Sequence, residues 1–324
     1  MSSTEARAFW IVEPGRGEIL DEVLPRLGDD DVVVRAMFSG ISRGTEALVF
    51  AGRVPASEHD RMRAPFQSGD FPAPIKYGYA NVGHVEQGPR DLQGHNVFVL
   101  YPHQSRYVVP TASVYVLPEH VPANRAVLAA NLETAINGVW DARPHVGDRI
   151  AVIGAGTVGC LVAWLASRMA GCEVQLVDVN PNRRAVATTL GVSFATPDQA
   201  NENADVVIHA SGSASGLDLA LLVAGFETHI VEMSWYGTDT VPIALGNAFH
   251  SKRLSIVSSQ VGRVATSQRA RWDHRRRMEL ALSMLTDSAL DALITGESSF
   301  EELPEVMTRL ASEPADTICH RIRY

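Results

Sequence analysis

Three glycines at fixed spacing carry the clearest chemistry in this 324-residue sequence: Gly154-Ala155-Gly156-Thr157-Val158-Gly159. The residues just before them, Ile150–Ile153, form a short apolar run, and a helical pattern follows. A G-x-G-x-x-G segment between a strand and a helix is the arrangement that binds the pyrophosphate of a dinucleotide. Gly154 would permit the tight turn, Gly156 would leave room for the phosphates against the backbone, and Gly159 would let helix and strand pack closely. Thr157 and Val158 open the helix, whose free N–H groups and positive dipole end suit an anion. A second strand, Glu173–Val177, ends at Asp178, 19 positions after Gly159. A carboxylate at that distance accepts hydrogen bonds from both hydroxyls of the adenosine ribose and repels the extra phosphate of NADP. The expected cofactor is therefore NAD(H), with Arg183 and Arg184 close enough to leave room for NADP(H).

The elements that must position this motif are an alternation of strands and helices. Leu128 to Ala142 has helical periodicity and stops before Pro144. Beyond Ile150–Ile153, the runs Val174–Val177, Val206–Ala210, His229–Met233 and Ser255–Ser258 read as strands separated by helical stretches. Such alternation implies a parallel sheet covered by helices, a doubly wound α/β fold. Ala210-Ser211-Gly212, Met233-Ser234-Trp235 and Ser258-Ser259-Gln260 end three of these strands, where ligands bind in open α/β sheets. The first third differs. Ala8–Val12, Val32–Met37, Tyr79–Val85 and Val97–Leu100 are short strand-like runs punctuated by Gly, Pro and Asp, which predict a β-rich domain. A long polar stretch from Gly52 to Pro74 interrupts it, the kind of loop that often serves a function. The tail predicts a basic helix over Thr266 to Leu285, a helix near Glu301–Leu310 and a strand over Thr317–Ile322.

Length and composition set limits. A chain of this size suits two domains. Hydrophobic residues make up 46% and charged residues 20%, an ordinary globular balance. The net charge of -9 argues against a nucleic-acid partner, which needs a basic footprint. No apolar run is long enough to span a bilayer, and Met1 to Arg7 lacks the apolar core of a signal peptide; a cytoplasmic location with no membrane partner is expected. The cysteines, Cys160, Cys172 and Cys319, have no paired spacing for a disulfide framework or a zinc ribbon.

With these elements placed, the chain resembles the medium-chain dehydrogenase/reductase superfamily over nearly all its residues. Gly40-Ile41-Ser42-Arg43-Gly44-Thr45-Glu46 is similar to that family's Gly-Ile-Cys-Gly-Thr-Asp segment with one residue inserted. Lys76-Tyr77-Gly78-Tyr79-Ala80 stands where a Gly-His-Glu motif is usual, and Ala129-Ala130-Asn131-Leu132-Glu133-Thr134-Ala135 is similar to the segment that opens the cofactor domain. The Ser-Arg-Gly-Thr-Glu element and short first domain most resemble the bacteriochlorophyllide a dehydrogenase-like group. The resemblance implies a GroES-like substrate domain over residues 1–128 and 262–324, with a Rossmann domain over 129–261 inserted. It also implies a homodimer, in which the stretch near Val241–Leu245 continues the Rossmann sheet.

The departures concern the metal. The family's catalytic zinc positions correspond here to Ser42, Tyr79 and Ala130, none a thiolate or imidazole, and the structural zinc lobe is absent, so no metal is expected. The resemblance then implies a zinc-independent oxidoreductase moving a hydride between NAD(H) and a carbonyl/secondary-alcohol pair of a small molecule, bulky or anionic. Some side chain must handle the accompanying proton. Relatives place Ser42, Arg43, Thr45, Glu46, Tyr79, His103 and Glu133 around the metal site. Glu133 is the first choice for a titrating group, Tyr79 and Thr45 for hydrogen-bonding ones, and Arg43 for a contact to the cofactor pyrophosphate. Each also has a plainer role: a helix-start carboxylate, a void-filling phenol, a turn hydroxyl. Arg61 and Arg63, and the run Arg269, Arg271, Arg275, Arg276 and Arg277, form either solvated faces or an anion-recognition surface. Two other functions stay open: reduction of an activated C=C bond in a quinone or enone, and dinucleotide binding without turnover.

Overall fold

The computed structural model describes residues 5–313 and 316–324. Residues 1–4, and with them most of the polar N-terminal stretch, lie outside the described residues. The chain divides into two compact units, residues 1–130, 282–288 and 294–324 in one and 131–281 and 289–293 in the other.

The first unit is β-rich. Strands β1 (Glu5–Glu13) and β2 (Arg16–Val23) form a hairpin, and β3 (Asp31–Ile41) leads into helix α1 (Arg43–Phe50). The short strands β4 (Ser68–Gly69) and β5 (Ile75–Lys76) precede β6 (Asn81–Gln87), β7 (Asn96–Val99), β8 (Arg106–Pro110) and β9 (Tyr115–Val116). β3 is buried on both faces at Val32, Val33 and Val34, and Val32 and Val34 pack with Val85, Val97, Val99 and the stacked rings of Tyr101 and Tyr107. Tyr79, expected to open a strand, precedes β6 by two residues and lies in the connection after β5.

The second unit begins in α2 (Ala129–Ala142). The strands and helices then alternate: β10 (Arg149–Ile153), α3 (Thr157–Ala166), β11 (Glu173–Val177), α4 (Arg183–Thr189), β12 (Ser193–Ala195), β13 (Ala204–His209), α5 (Ala214–Val223), β14 (Ala224–Glu232) and β15 (Ser255–Ser258). The six strands pair in parallel in the order β12-β11-β10-β13-β14-β15. That is the doubly wound order, with the sheet reversing its direction of growth beside β10. The expected α/β class, a Rossmann sheet set within a β-rich chain, is therefore the observed one.

Helix α6 (His274–Met284) follows, and β16 (Ile294–Ser299), α7 (Leu303–Ser312) and β17 (Cys319–Arg323) return to the first unit, where β17 pairs antiparallel with β3. Three details differ from the sequence expectation. Helix α6 starts eight residues late, because Asp273 accepts a hydrogen bond from the Arg276 N–H and so fixes the helix start. The second unit extends to residue 281 rather than 261, because Arg277 is buried against groups of that unit. Finally, no strand forms over Val241–Leu245, where Pro242 lacks the N–H a ladder needs; β15 is the outer strand on that side of the sheet.

Candidate functional site

In the second unit the glycine turn is built as its spacing requires. Gly154 has φ +106°, a conformation that favours glycine, and a Cβ there would stand 2.7 Å from the Ser211 backbone. A Cβ on Gly159 would stand 1.8 Å from the Gly154 carbonyl oxygen, so α3 can approach β10 only with glycine at this position. Gly156, the N-cap of α3, faces open space. Thr157 is buried at the first position of α3 and Val158 half-buried at the second. Beside the turn, the Asp178 carboxylate accepts hydrogen bonds from the Ala155 N–H at 2.6 Å and the Asn180 N–H at 2.8 Å. Arg184 is turned to the Phe194 carbonyl and ring, while Arg183 is buried.

The remaining expected cofactor residues sit at the C-terminal ends of neighbouring strands. Gly212, at φ +66°, donates its N–H to Ser234 Oγ at 3.0 Å. Ser259 donates its hydroxyl to Asp141 at 2.7 Å. Ser211 is exposed just after β13. This is the edge at which open α/β sheets bind ligands.

Glu133 is buried on α2 and committed to a partner. Its Oε1 accepts from Arg277 Nε at 3.0 Å, while the same guanidinium donates to Asn137 Oδ1 at 2.6 Å and to the Val261 carbonyl at 2.6 Å. Burial pushes the Glu133 carboxyl above its ordinary range, and the Arg277 charge and hydrogen bond oppose that. The pair ties α6 and the chain after β15 to α2. It also removes Arg277 from any solvent-facing run; of its neighbours, Arg275 pairs with Glu279 and Arg276 lies over the Trp272 ring.

The first unit gathers a polar cluster around the start of α1. The Tyr79 phenol is hydrogen-bonded with the side chains of Ser42 and Thr45. Burial, reinforced by the Glu46 charge and opposed by those two hydroxyls, pushes its pKa up to about 12. Glu46 reaches back to accept from the Ser42 N–H at 2.7 Å, and its other oxygen lies 2.8 Å from His103 Nε2. His103 Nδ1 lies 2.7 Å from Ser39 Oγ, which lies 3.0 Å from the Tyr324 hydroxyl. Glu46, His103 and Ser39 are almost wholly buried. Gly78, at φ +126°, makes room for the imidazole, since a Cβ there would stand 2.9 Å from His103 Cδ2.

Tyr79, Thr45, Ser42, Glu46 and His103 thus converge within one unit, where Arg43 occupies the first position of α1. Ser39 and Tyr324 are members that sequence reasoning missed. Ser39 had a faint signal, a hydroxyl near the end of a largely apolar strand; Tyr324, the last residue, had none. The cluster does not suit zinc. Ser42, Tyr79 and Ala130 offer a hydroxyl, a phenol and a methyl, and both Glu46 oxygens and both His103 nitrogens are already engaged. Among the described residues no three His, Cys, Asp or Glu side chains are grouped to hold a metal.

Comparison with known proteins bears on the class. A putative zinc-binding dehydrogenase from Sinorhizobium meliloti, bound to NADP, superposes with a TM-score of 0.79 at 17% identity, covering 99% of this chain and 100% of its own. The two proteins share a fold over their whole lengths. D-guloside 3-dehydrogenase of Escherichia coli is 24% identical over 314 residues, 88% of this chain and 87% of that protein. An uncharacterised zinc-type alcohol dehydrogenase-like protein of Haemophilus influenzae is 27% identical over 356 residues, 95% and 96% of the two chains. The chain is an oxidoreductase, similar over most of its length to these two relatives. No family model matches it.

Proposed function

We propose that this dehydrogenase transfers a hydride between NAD(H) and a carbonyl/secondary-alcohol pair, and that it does so without zinc. The observation that carries the reading is the Tyr79 phenol hydrogen-bonded with Ser42 and Thr45, at two of the positions where a zinc enzyme needs ligands. NAD(H), when bound, supplies or accepts the hydride. Gly154, Gly156, Gly159 and the first turn of α3 hold its pyrophosphate, Asp178 takes the adenosine ribose in exchange for the Ala155 N–H, and Ser211, Gly212, Ser234 and Ser259 border it.

A tyrosine with a pKa near 12 keeps its proton at neutral pH. Tyr79 therefore acts as a hydrogen-bond donor to the substrate oxygen rather than as a base, stabilising charge that develops there. Thr45 and Ser42 fix the direction of that donation. Glu46, paired with His103, holds Ser42 in place by accepting from its N–H. Glu133 has the role of a buried clamp through Arg277. The names of the relatives support a hydroxyl on a polyhydroxylated compound, while the resemblance to bacteriochlorophyllide a dehydrogenase-like proteins supports a bulkier ring. The protein acts as a cytoplasmic homodimer in this reading, which the three free cysteines and the exposed outer strand β15 support.

The test is a panel of polyols and keto sugars assayed by NADH absorbance with protein stripped of metal. Turnover that survives stripping, and falls about 100-fold or more in Tyr79→Phe, is the expected result. Equal turnover in Tyr79→Phe would remove the phenol from the mechanism.

A further inference from the structure

A second cluster, in the Rossmann unit, joins Ser211 at the cofactor's border to two residues, His209 and Glu232, that have no part in the hydride reaction. His209, the last residue of β13, is fully buried. Its Nδ1 lies 2.7 Å from Glu232 Oε2, on the paired position of β14, and its Nε2 lies 2.6 Å from Ser211 Oγ. Glu232 is firmly placed, accepting from the Ser234 N–H at 2.7 Å and the Tyr236 hydroxyl at 3.0 Å. Burial pushes its carboxyl up, but the hydrogen bonds from His209 and Ser234 oppose it, and the group is held below the usual carboxylate range. With His209 neutral, its Nδ1–H donates to the ionised Glu232, which leaves the Nε2 lone pair to accept from the Ser211 hydroxyl. Ser211 itself is exposed.

The contact depends on a particular glycine. A Cβ on Gly216 would stand 2.1 Å from Ser211 Oγ and 2.7 Å from His209 Nε2. The ten-residue helix α5 begins at Ala214, and its N-cap Ser213 accepts from the Gly216 N–H. The positive end of the α5 dipole therefore lies beside the serine.

We propose that Ser211, His209 and Glu232 form an acyl-transfer triad, with Ser211 as a nucleophile towards small activated carboxylic esters. In the first step Ser211 Oγ bonds to the acyl carbon as its proton passes to His209 Nε2. The bond from the acyl carbon to the leaving oxygen breaks, and the leaving alcohol takes the proton from His209. In the second step water attacks the acyl carbon, its proton passes to His209, the bond to Ser211 breaks, and the serine recovers its proton as the carboxylic acid departs. Glu232 holds the imidazole in the required tautomer throughout. No oxidant, metal or cofactor enters the balance.

The experiment uses the full-length protein and p-nitrophenyl acetate, following p-nitrophenolate release and, by peptide mass mapping, the acetylated residue. The expected result is a burst with one acetyl group per chain, on Ser211, absent in Ser211→Ala. Glu232→Gln, checked for native circular dichroism, should acylate at least about 10-fold more slowly. Acetylation elsewhere than Ser211, a rate no faster than that of Ser211→Ala, or a Glu232→Gln rate equal to the parent's would overturn the proposal.

Discussion

Asp178 and Tyr79 decide most of the account at the level of single side chains. Asp178 is already an acceptor, bound to the Ala155 N–H of the glycine turn and to the N–H of Asn180. Asp178→Ala is expected to weaken NADH binding about 10-fold and to narrow its advantage over NADPH, as read by quenching of reduced-cofactor fluorescence; tighter NADPH binding by the parent protein would reverse the assignment. For Tyr79 the pH sign is fixed by its environment. Its pKa rises from 10.0 to about 12 on folding, so the neutral phenol stabilises the fold fully below pH 10 and that contribution disappears as pH rises towards 12. Chemical denaturation at pH 9 and 11.5 should show the loss, and a smaller one in Tyr79→Phe. Glu133 is a different case. Glu133→Gln leaves Arg277 buried beside a neutral partner, so it should lower stability by about 3 kcal/mol or more while leaving the response of turnover to pH unchanged. A shifted pH profile in that variant would instead make Glu133 a titrating group of the reaction.

At the level of elements, the three glycines separate into two kinds. A Cβ at Gly159 meets backbone within its own unit, whereas one at Gly156 meets nothing. Gly159→Ala should therefore lower the melting temperature by several degrees, on the scale of a few kcal/mol for a Cβ forced against backbone. Gly156→Ala should melt near the parent protein and lose NADH affinity, because its methyl would occupy space kept for the ligand. The reverse pattern would mean that the turn does not hold a phosphate. The Rossmann elements were legible because each strand is an apolar run ending in a turn, and burial on both faces makes such runs continuous. Other boundaries were hidden. Asp273 caps α6 only because the chain before it turns, with Trp272 packing on Trp140, and no local pattern announces that contact. Tyr79 falls off its strand for a similar reason: its phenol is drawn to Ser42 and Thr45, and this pairing joins segments far apart in sequence. The site was legible where spacing alone defines it and illegible where distant residues meet, as with Ser39 and Tyr324.

For the whole molecule, the sequence announces two textures, a β-rich one and an alternating α/β one, and the α/β unit also takes residues 262–281 and 289–293. Among the described residues no helix is long and apolar enough to cross a membrane. On the homodimer reading, light scattering at micromolar concentration should give twice the chain mass of 35.1 kDa, and a monomer mass would contradict that reading. The central claim, hydride transfer by a protein that needs no zinc, is tested most directly by isotope. Metal-stripped protein, verified by elemental analysis, is incubated with a keto sugar and NADH deuterated at the transferring position of nicotinamide C4, and the product is weighed by mass spectrometry. The account predicts one deuterium carried into the alcohol product in the continued presence of a chelator. Deuterium that appears only after zinc is restored would contradict it.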